Sequence, residues 1–250
     1  GMPLYDAFIH AFSSAGTGGF SNRNASVGAY NSLAIEMIIT VFILLFSINF
    51  AVYFLILTRR WREALRSDEL RFFGCVVAGT TLVISLANLG VYGGIWESLR
   101  YTVFQVASLI STTGFATADF VLWPQFSQLI LILIMFCGAC AGSTGGGMKC
   151  SRILLLFRVI RRGVRRIAHP RAVEVVKLDG KVVDDSTVHS ILLFVGGYLL
   201  IIFAAALFIS LDGGSFSVSF SAAITCVSHV GPGLEVLGPT GNIAAFSPLS

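Results

Sequence analysis

The sequence predicts an all-α membrane protein built from repeated units, each a membrane span, a short re-entrant helix, a glycine turn and a second span. Three observations predict it. Of 250 residues, 55% are hydrophobic and only 12% charged, where soluble domains carry roughly a quarter charged. Four apolar runs, Leu33 to Leu57, Phe72 to Tyr92, Gln128 to Phe157 and His189 to Leu211, reach the ~20 residues that cross a hydrocarbon layer. Around them lie three shorter apolar stretches, each ending in small residues and glycine.

Basic residues orient the spans. Arg59, Arg60, Arg62, Arg66 and Arg71 follow the first run, and Arg158, Arg161, Arg162, Arg165, Arg166, Arg171, Lys177 and Lys181 follow the third. Only Arg23 and Arg100 fall in segments of the opposite side. The positive-inside rule therefore assigns both basic loops to the cytoplasm, with the first and third spans running inward and the second and fourth outward. No basic region leads into an apolar stretch at the N-terminus, so no cleavable signal is read there. Basic loops also suit nucleic acid or lipid headgroups, but the orientation rule already accounts for the bias.

The three short stretches are residues 3–17, PLYDAFIHAFSSAGT, residues 95–113, IWESLRYTVFQVASLISTT, and residues 215–230, SFSVSFSAAITCVSHV. Too short and too polar to cross, they read as re-entrant helices. Their ends, SSAGTGGFS, LISTTGFAT and VSHVGPGLE, align on Gly18, Gly114 and Gly231 as an internal repeat. Residues 69–160 hold one complete unit. The chain opens inside a short helix and closes at GNIAAFSPLS, where another span would begin; it reads as an internal fragment of about two and a half of four repeats. The expected divisions are 1–60, the end of a second repeat; 61–71, a cytosolic loop; 72–162, a third repeat with an intramembrane loop at 138–149; 163–187, a basic cytosolic linker; and 188–250, the start of a fourth.

Irregular backbone at membrane depth survives only when buried in protein or lining water, because unpaired amides in lipid cost several kcal/mol each. Three such turns in one register predict a shared aqueous axis. Inward carbonyls there would replace the hydration shell of a monovalent cation, and glycine admits the positive φ this requires. The short helices would aim their partly negative C-terminal ends at the axis, favouring cations. Asp119 and Glu235 near the outer mouth would concentrate cations or stand as ordinary solvated charges. Close helix packing also uses small residues, but that reading does not explain three turns in register.

The segment GACAGSTGGGMK, residues 138–149, interrupts the third run. A phosphate loop needs lysine directly after glycine and then Ser or Thr; here Met148 separates Gly147 from Lys149, and Cys150 follows. Counting from Pro124 at 1.5 Å per residue, about 14 to 20 residues bring 138–144 to mid-membrane or just below, under the turns. The segment is then either a kink without a role or a gate. As a gate, Gly142, Gly145, Gly146 and Gly147 supply hinges and Ser143 and Thr144 hydroxyls, while Lys149 serves as plug or latch, or simply snorkels. Cys137 and Cys140 form a CxxC pair, but without a second pair or a histidine they read as small buried hydrophobes. Four scattered histidines and no nucleophile constellation give no enzyme. A membrane NTPase would need a true phosphate loop, and a secondary transporter with broken helices would show inverted repeats, whereas these share one orientation.

The motifs SSAGTGGFS, STTGFATADF, SHVGPGLE and GACAGSTGGGMK with the basic helix after it resemble the ion-conducting subunit of the Trk/Ktr/HKT superfamily of potassium transporters, most closely the bacterial Trk type, over essentially the whole chain. The resemblance implies four span, pore helix, span repeats of the potassium-channel type, and potassium (K+) uptake across the bacterial inner membrane without covalent chemistry; the alternative is sodium- or proton-coupled transport of another monovalent cation. It also implies a homodimer and a cytosolic nucleotide-binding regulatory subunit of the RCK class. Carried over by residue, the filter comprises Gly16, Thr17, Gly18 and Gly19 through Phe20; Thr112, Thr113, Gly114 and Phe115 through Ala116; and His229, Val230, Gly231 and Pro232 through Gly233. The gate comprises Gly142, Ser143, Thr144, Gly145, Gly146, Gly147 and Lys149. His229 and Pro232 depart from a uniform filter signature.

Overall fold

The computed structural model describes residues 1–169, 175–239 and 241. Arg171 and nearly all of the closing GNIAAFSPLS lie outside the described residues. The helices run α1 Leu4–Ala15, α2 Leu33–Phe46, α3 Phe50–Leu57, α4 Trp61–Ala64, α5 Asp68–Ala87, α6 Leu89–Tyr92, α7 Ile95–Ile110, α8 Gln125–Cys137, α9 Cys150–Ala168, α10 Asp185–Ile209 and α11 Phe216–Ser228. Two-residue strands β1 Lys177–Leu178 and β2 Lys181–Val182 form a small antiparallel hairpin before α10. The chain is helical throughout its apolar parts, as expected of a membrane fold.

The three short helices form where the sequence places them, as α1, α7 and α11. Pro3 precedes α1, where its missing N–H costs nothing, and the Ser215 hydroxyl accepts from Val218 N at 3.2 Å to cap α11. α7 is central. From Phe104 to Ile110 every one of its residues is buried, packed against α2, α5 and α8. The main apolar cluster joins Leu109 and Ile110 of α7 to Ile84 of α5, Leu131 of α8, Ile202 of α10 and Ile224 of α11. Outward faces stay apolar, as with Leu200 and Leu207 on α10, exposed by 69% and 72%.

Two of the four expected spans are continuous helices long and apolar enough to cross, α5 and α10. The first expected span, 33 to 57, is instead broken: α2 and α3 meet at 90°. No glycine or proline breaks it. The Ser47 hydroxyl donates to Ile43 O at 2.6 Å, Asn49 Oδ1 accepts from Ala51 N at 2.8 Å, and Phe50 N donates to Gly142 O at 3.0 Å. The backbone groups freed by the bend are thus satisfied by caps and by a distant loop. The third expected span is interrupted after the 13 residues of α8, about 20 Å of helix, by the glycine-rich loop.

Glu36, on the first turn of α2, is only 2% exposed and forms two 2.6 Å bonds with the Arg100 guanidinium. This bidentate pair ties α2 to α7, and removing one partner would strand a buried charge at a cost of about 3–5 kcal/mol. Asn88 does bond between helices, accepting from Ser127 Oγ at 2.8 Å.

Candidate functional site

All three short helices end in a similar backbone turn. A left-handed residue closes each: Thr17 at φ 48° and Thr112 at φ 58°, each one past its helix cap, and His229 at φ 59°, itself the cap of α11. The next N–H reaches back five residues, Gly18 N to Ser13 O at 2.8 Å, Thr113 N to Ser108 O at 2.9 Å and Val230 N to Thr225 O at 2.9 Å. A glycine at positive φ follows: Gly19 at 69°, Gly114 at 86° and Gly231 at 102°. The structural register therefore pairs Gly19, not Gly18, with Gly114 and Gly231. The sequence alignment slipped by one because GTGG offers two adjacent glycines.

The turns stand side by side. A Cβ on Gly19 would lie 1.9 Å from Thr113 O, and one on Gly114 would lie 2.0 Å from Val230 O, while one on Gly231 would meet nothing within 4 Å. Each carbonyl at the middle position thus abuts the glycine of the preceding turn. Among the described residues, neither Thr113 O nor Val230 O accepts a backbone hydrogen bond. By contrast the Phe115 carbonyl accepts from Ser108 Oγ at 2.6 Å, and the Phe115 ring is fully buried, stacked 5.4 Å from His10. Phe115 braces the turn from behind.

An open cavity of about 490 Å³ lies on one side of the turns, lined by Gly19, Gly114, Gly231 and Pro232 together with Ser21, Asn22 and Arg23. Another of about 530 Å³ lies on the opposite side, lined by Gly16, Thr17, Gly18, Thr112, His229 and Val230 together with Thr144 and Gly146. Behind the lining residues Asn22 and Arg23 of the first cavity lies Asp6, whose carboxylate accepts from Tyr30 Oη at 2.6 Å, Asn22 Nδ2 at 2.6 Å and Arg23. Those bonds, Tyr30 first, hold its pKa below the ordinary value. Asp119 caps a short turn by accepting from Val121 N at 3.1 Å, and Glu235 accepts from Ser215 Oγ at 3.0 Å.

The loop between α8 and α9 closes the second cavity. Cβ atoms on Gly145 and Gly146 would lie 2.7 Å from Ser111 O and 2.6 Å from Ser228 O, so the loop backbone touches the C-terminal ends of both α7 and α11. Gly146 N donates to Thr112 Oγ1 at 2.5 Å. Thr144 faces the cavity and its hydroxyl lies 3.3 Å from Phe46 O, Ser143 Oγ donates to Cys140 O at 2.6 Å, and Gly142 sits at the α2–α3 bend against Asn49. Gly147 packs on Gly138 at the loop's neck. Lys149, at φ 73° and half-buried, turns its ammonium onto the Gly145 carbonyl. Cys137 and Cys140 are buried, and Cys137 Sγ lies 3.4 Å from Cys150 Sγ across the neck. Among the described residues no cluster of metal-ligating side chains occurs.

Sequence reasoning missed the residue that holds the loop's two stems. Glu69, 6% exposed on the first turn of α5, accepts from Ala141 N at 2.6 Å and Ser151 N at 3.0 Å through one oxygen. A carboxylate at the entrance of an apolar span was the available signal. Its neighbour Asp68 faces the other way: its N–H donates to Asp179 Oδ1 at 2.6 Å, and its carboxylate accepts from Asp179 N at 2.9 Å and Arg158 at 3.0 Å. That clasp fixes the β-hairpin and α9 to the start of α5.

Known proteins share this sequence and fold. The family described as TrkH, cation transport protein, matches residues 1–248. The Trk system potassium uptake protein TrkH of Salmonella typhimurium is 35% identical over 259 residues, covering 100% of this chain and 52% of the relative. The Trk system potassium uptake protein TrkI of Halomonas elongata is 31% identical over 251 residues, covering 100% and 50%. The crystal structure of the potassium transporter TrkH from Vibrio parahaemolyticus superposes with a TM-score of 0.88 at 35% identity, over 95% of this chain and 52% of that one. The chain spans about half the length of the curated relatives it matches. It belongs to the TrkH family of cation transport proteins.

Proposed function

We propose that the protein takes up potassium through a pore whose selectivity filter includes the turns at 17–19, 112–114 and 229–231, with the loop 138–149 as the gate beneath it. The repeated turn carries this reading: three copies of one left-handed step followed by glycine bring the Thr113 and Val230 carbonyls, free of backbone partners among the described residues, beside the neighbouring turns. Such oxygens replace the hydration shell of a monovalent cation, and the helix C-termini behind them add negative potential. Potassium is the substrate named for the relatives. Gly16 to Phe20, Thr112 to Ala116 and His229 to Gly233 are the filter segments. Gly142, Ser143, Thr144, Gly145, Gly146, Gly147 and Lys149 form the gate, which seats against Thr112 and the ends of α7 and α11. The full-length chain works as a homodimer in the inner membrane, with a cytosolic nucleotide-binding subunit of the RCK class acting from the basic side.

The test is rubidium or potassium uptake by the full-length protein in a transport-deficient cell. Gly114→Ser and Gly231→Ser are expected to lower the rate or shift the preference toward sodium, and deletion of 141–147 to raise flux and uncouple it from regulation. Unchanged rate and preference in both glycine variants would remove the filter assignment. Unchanged regulation after the deletion would remove the gate.

A further inference from the structure

A groove of about 710 Å³ runs between α2, α5 and α7, outside the turns and the loop, and its lining is almost wholly apolar: Val41 and Ile48 from α2 and its end, Phe73, Val77 and Leu82 from α5, and Val103 from α7. It follows α5 from Leu70 to Leu82, about 18 Å of helix, close to the depth of one leaflet's hydrocarbon, half of roughly 30 Å. Small residues open it. Gly74 lies in its wall, and a Cβ there would meet nothing within 4 Å.

The end of the groove at Leu70 meets the densest basic cluster outside α9. Arg71 follows Leu70 directly and stands one helical turn before Gly74, on the same face. Of the five arginines at 59–71, Arg60 is paired with Glu63, but Arg59, Arg62, Arg66 and Arg71 form no ion pair with a carboxylate among the described residues. Leu57, Trp61 and Leu65 beside them are exposed by 83%, 54% and 58%, the mixture of aromatic, apolar and basic side chains that settles at a headgroup boundary. Glu63, Asp68 and Glu69 offset part of this charge, and Arg71 Nε donates to Leu65 O at 2.9 Å, but the five arginines at 59–71 leave the segment net basic; an apolar slot one leaflet deep opening on it is complementary to one kind of molecule.

We propose that this groove binds an anionic phospholipid from the leaflet on the basic side, with an acyl chain along Gly74 and Val77 and the headgroup phosphate held by Arg66 and Arg71. The positive charge makes the site selective for anionic over zwitterionic headgroups, and the groove makes the lipid a resident one. The full-length protein, reconstituted in vesicles of equal parts phosphatidylglycerol and phosphatidylcholine and released into mild detergent, is examined by native mass spectrometry. Wild type is expected to retain phosphatidylglycerol preferentially. Arg66→Gln and Arg71→Gln should each cut that preference on the order of fivefold, the contribution of one arginine near a charged surface, and Gly74→Trp should lower retention of both lipids by filling the slot. Equal retention of the two lipids by wild type, or an undiminished preference in the double arginine variant, would overturn the proposal. So would a Gly74→Trp protein that keeps its lipid and loses its dimer, which would make a second copy the occupant.

Discussion

The second and third turns share a backbone but not a setting. At Gly114 the neighbouring turn presses in, with Val230 O 2.0 Å from the position of a Cβ, whereas the same position at Gly231 is open. The second turn is also braced by its own hydroxyls, Ser108 Oγ to Phe115 O at 2.6 Å and Ser111 Oγ to Thr113 Oγ1 at 2.7 Å. The third leans in part on another segment: Tyr198 Oη of α10 lies 2.7 Å from Ser228 Oγ, while its own Ser221 Oγ accepts from Leu234 N at 3.1 Å. The difference teaches that the turn itself is local, written into a helix end and a glycine. Its tightness is supplied by whatever stands beside it.

If that division is right, alanine should separate the two sites. Gly114→Ala combines left-handed strain with overlap on a backbone carbonyl that cannot move alone, and is expected to cost more than about 3 kcal/mol, read as a steep fall in thermal midpoint and in rubidium uptake. Gly231→Ala meets the strain only, about 2 kcal/mol, so the protein should fold with a lowered thermal midpoint. Equal losses at the two sites would break the comparison.

Smaller changes sharpen it. Thr112→Val removes the acceptor for the part-buried Gly146 N, costing about 1 kcal/mol; hydrogen exchange at 141–147 should rise. His229→Ala, at the equivalent place in the third turn, makes no such bond and should leave that exchange unchanged. Tyr198→Phe removes a single hydroxyl contact from outside the third turn, about 1 kcal/mol, and should lower the thermal midpoint slightly while the second turn's exchange rates stay fixed.

Most helices, the three turns and the glycine-rich break between α8 and α9 were legible in the sequence because each rests on local chemistry: apolar run length, Pro3, Pro124 and Ser215 at helix starts, glycine after the left-handed residue. What escaped depends on partners distant in the chain. The α2–α3 bend has no glycine or proline and is stabilised by Gly142, some 90 residues away, so the run from Leu33 to Leu57 reads as continuous. Glu36 looks like an interfacial acid until Arg100, 64 positions later, is folded against it. Glu69 carries no motif, because its partners are backbone N–H groups. The one-residue slip at Gly18 and Gly19 was settled by φ values and by the five-residue bond, which no alignment on glycine alone contains.

Asp68 and Glu69 have a mechanical meaning together. One grips the hairpin and α9 outside the bundle, the other grips both stems of the loop inside it, and a single peptide bond separates them. The start of α5 therefore links the two: a displacement of the hairpin would reach the loop across one residue, by a shorter route than the length of α9. A load on the basic side would unseat both stems at once, since they share one oxygen as their anchor.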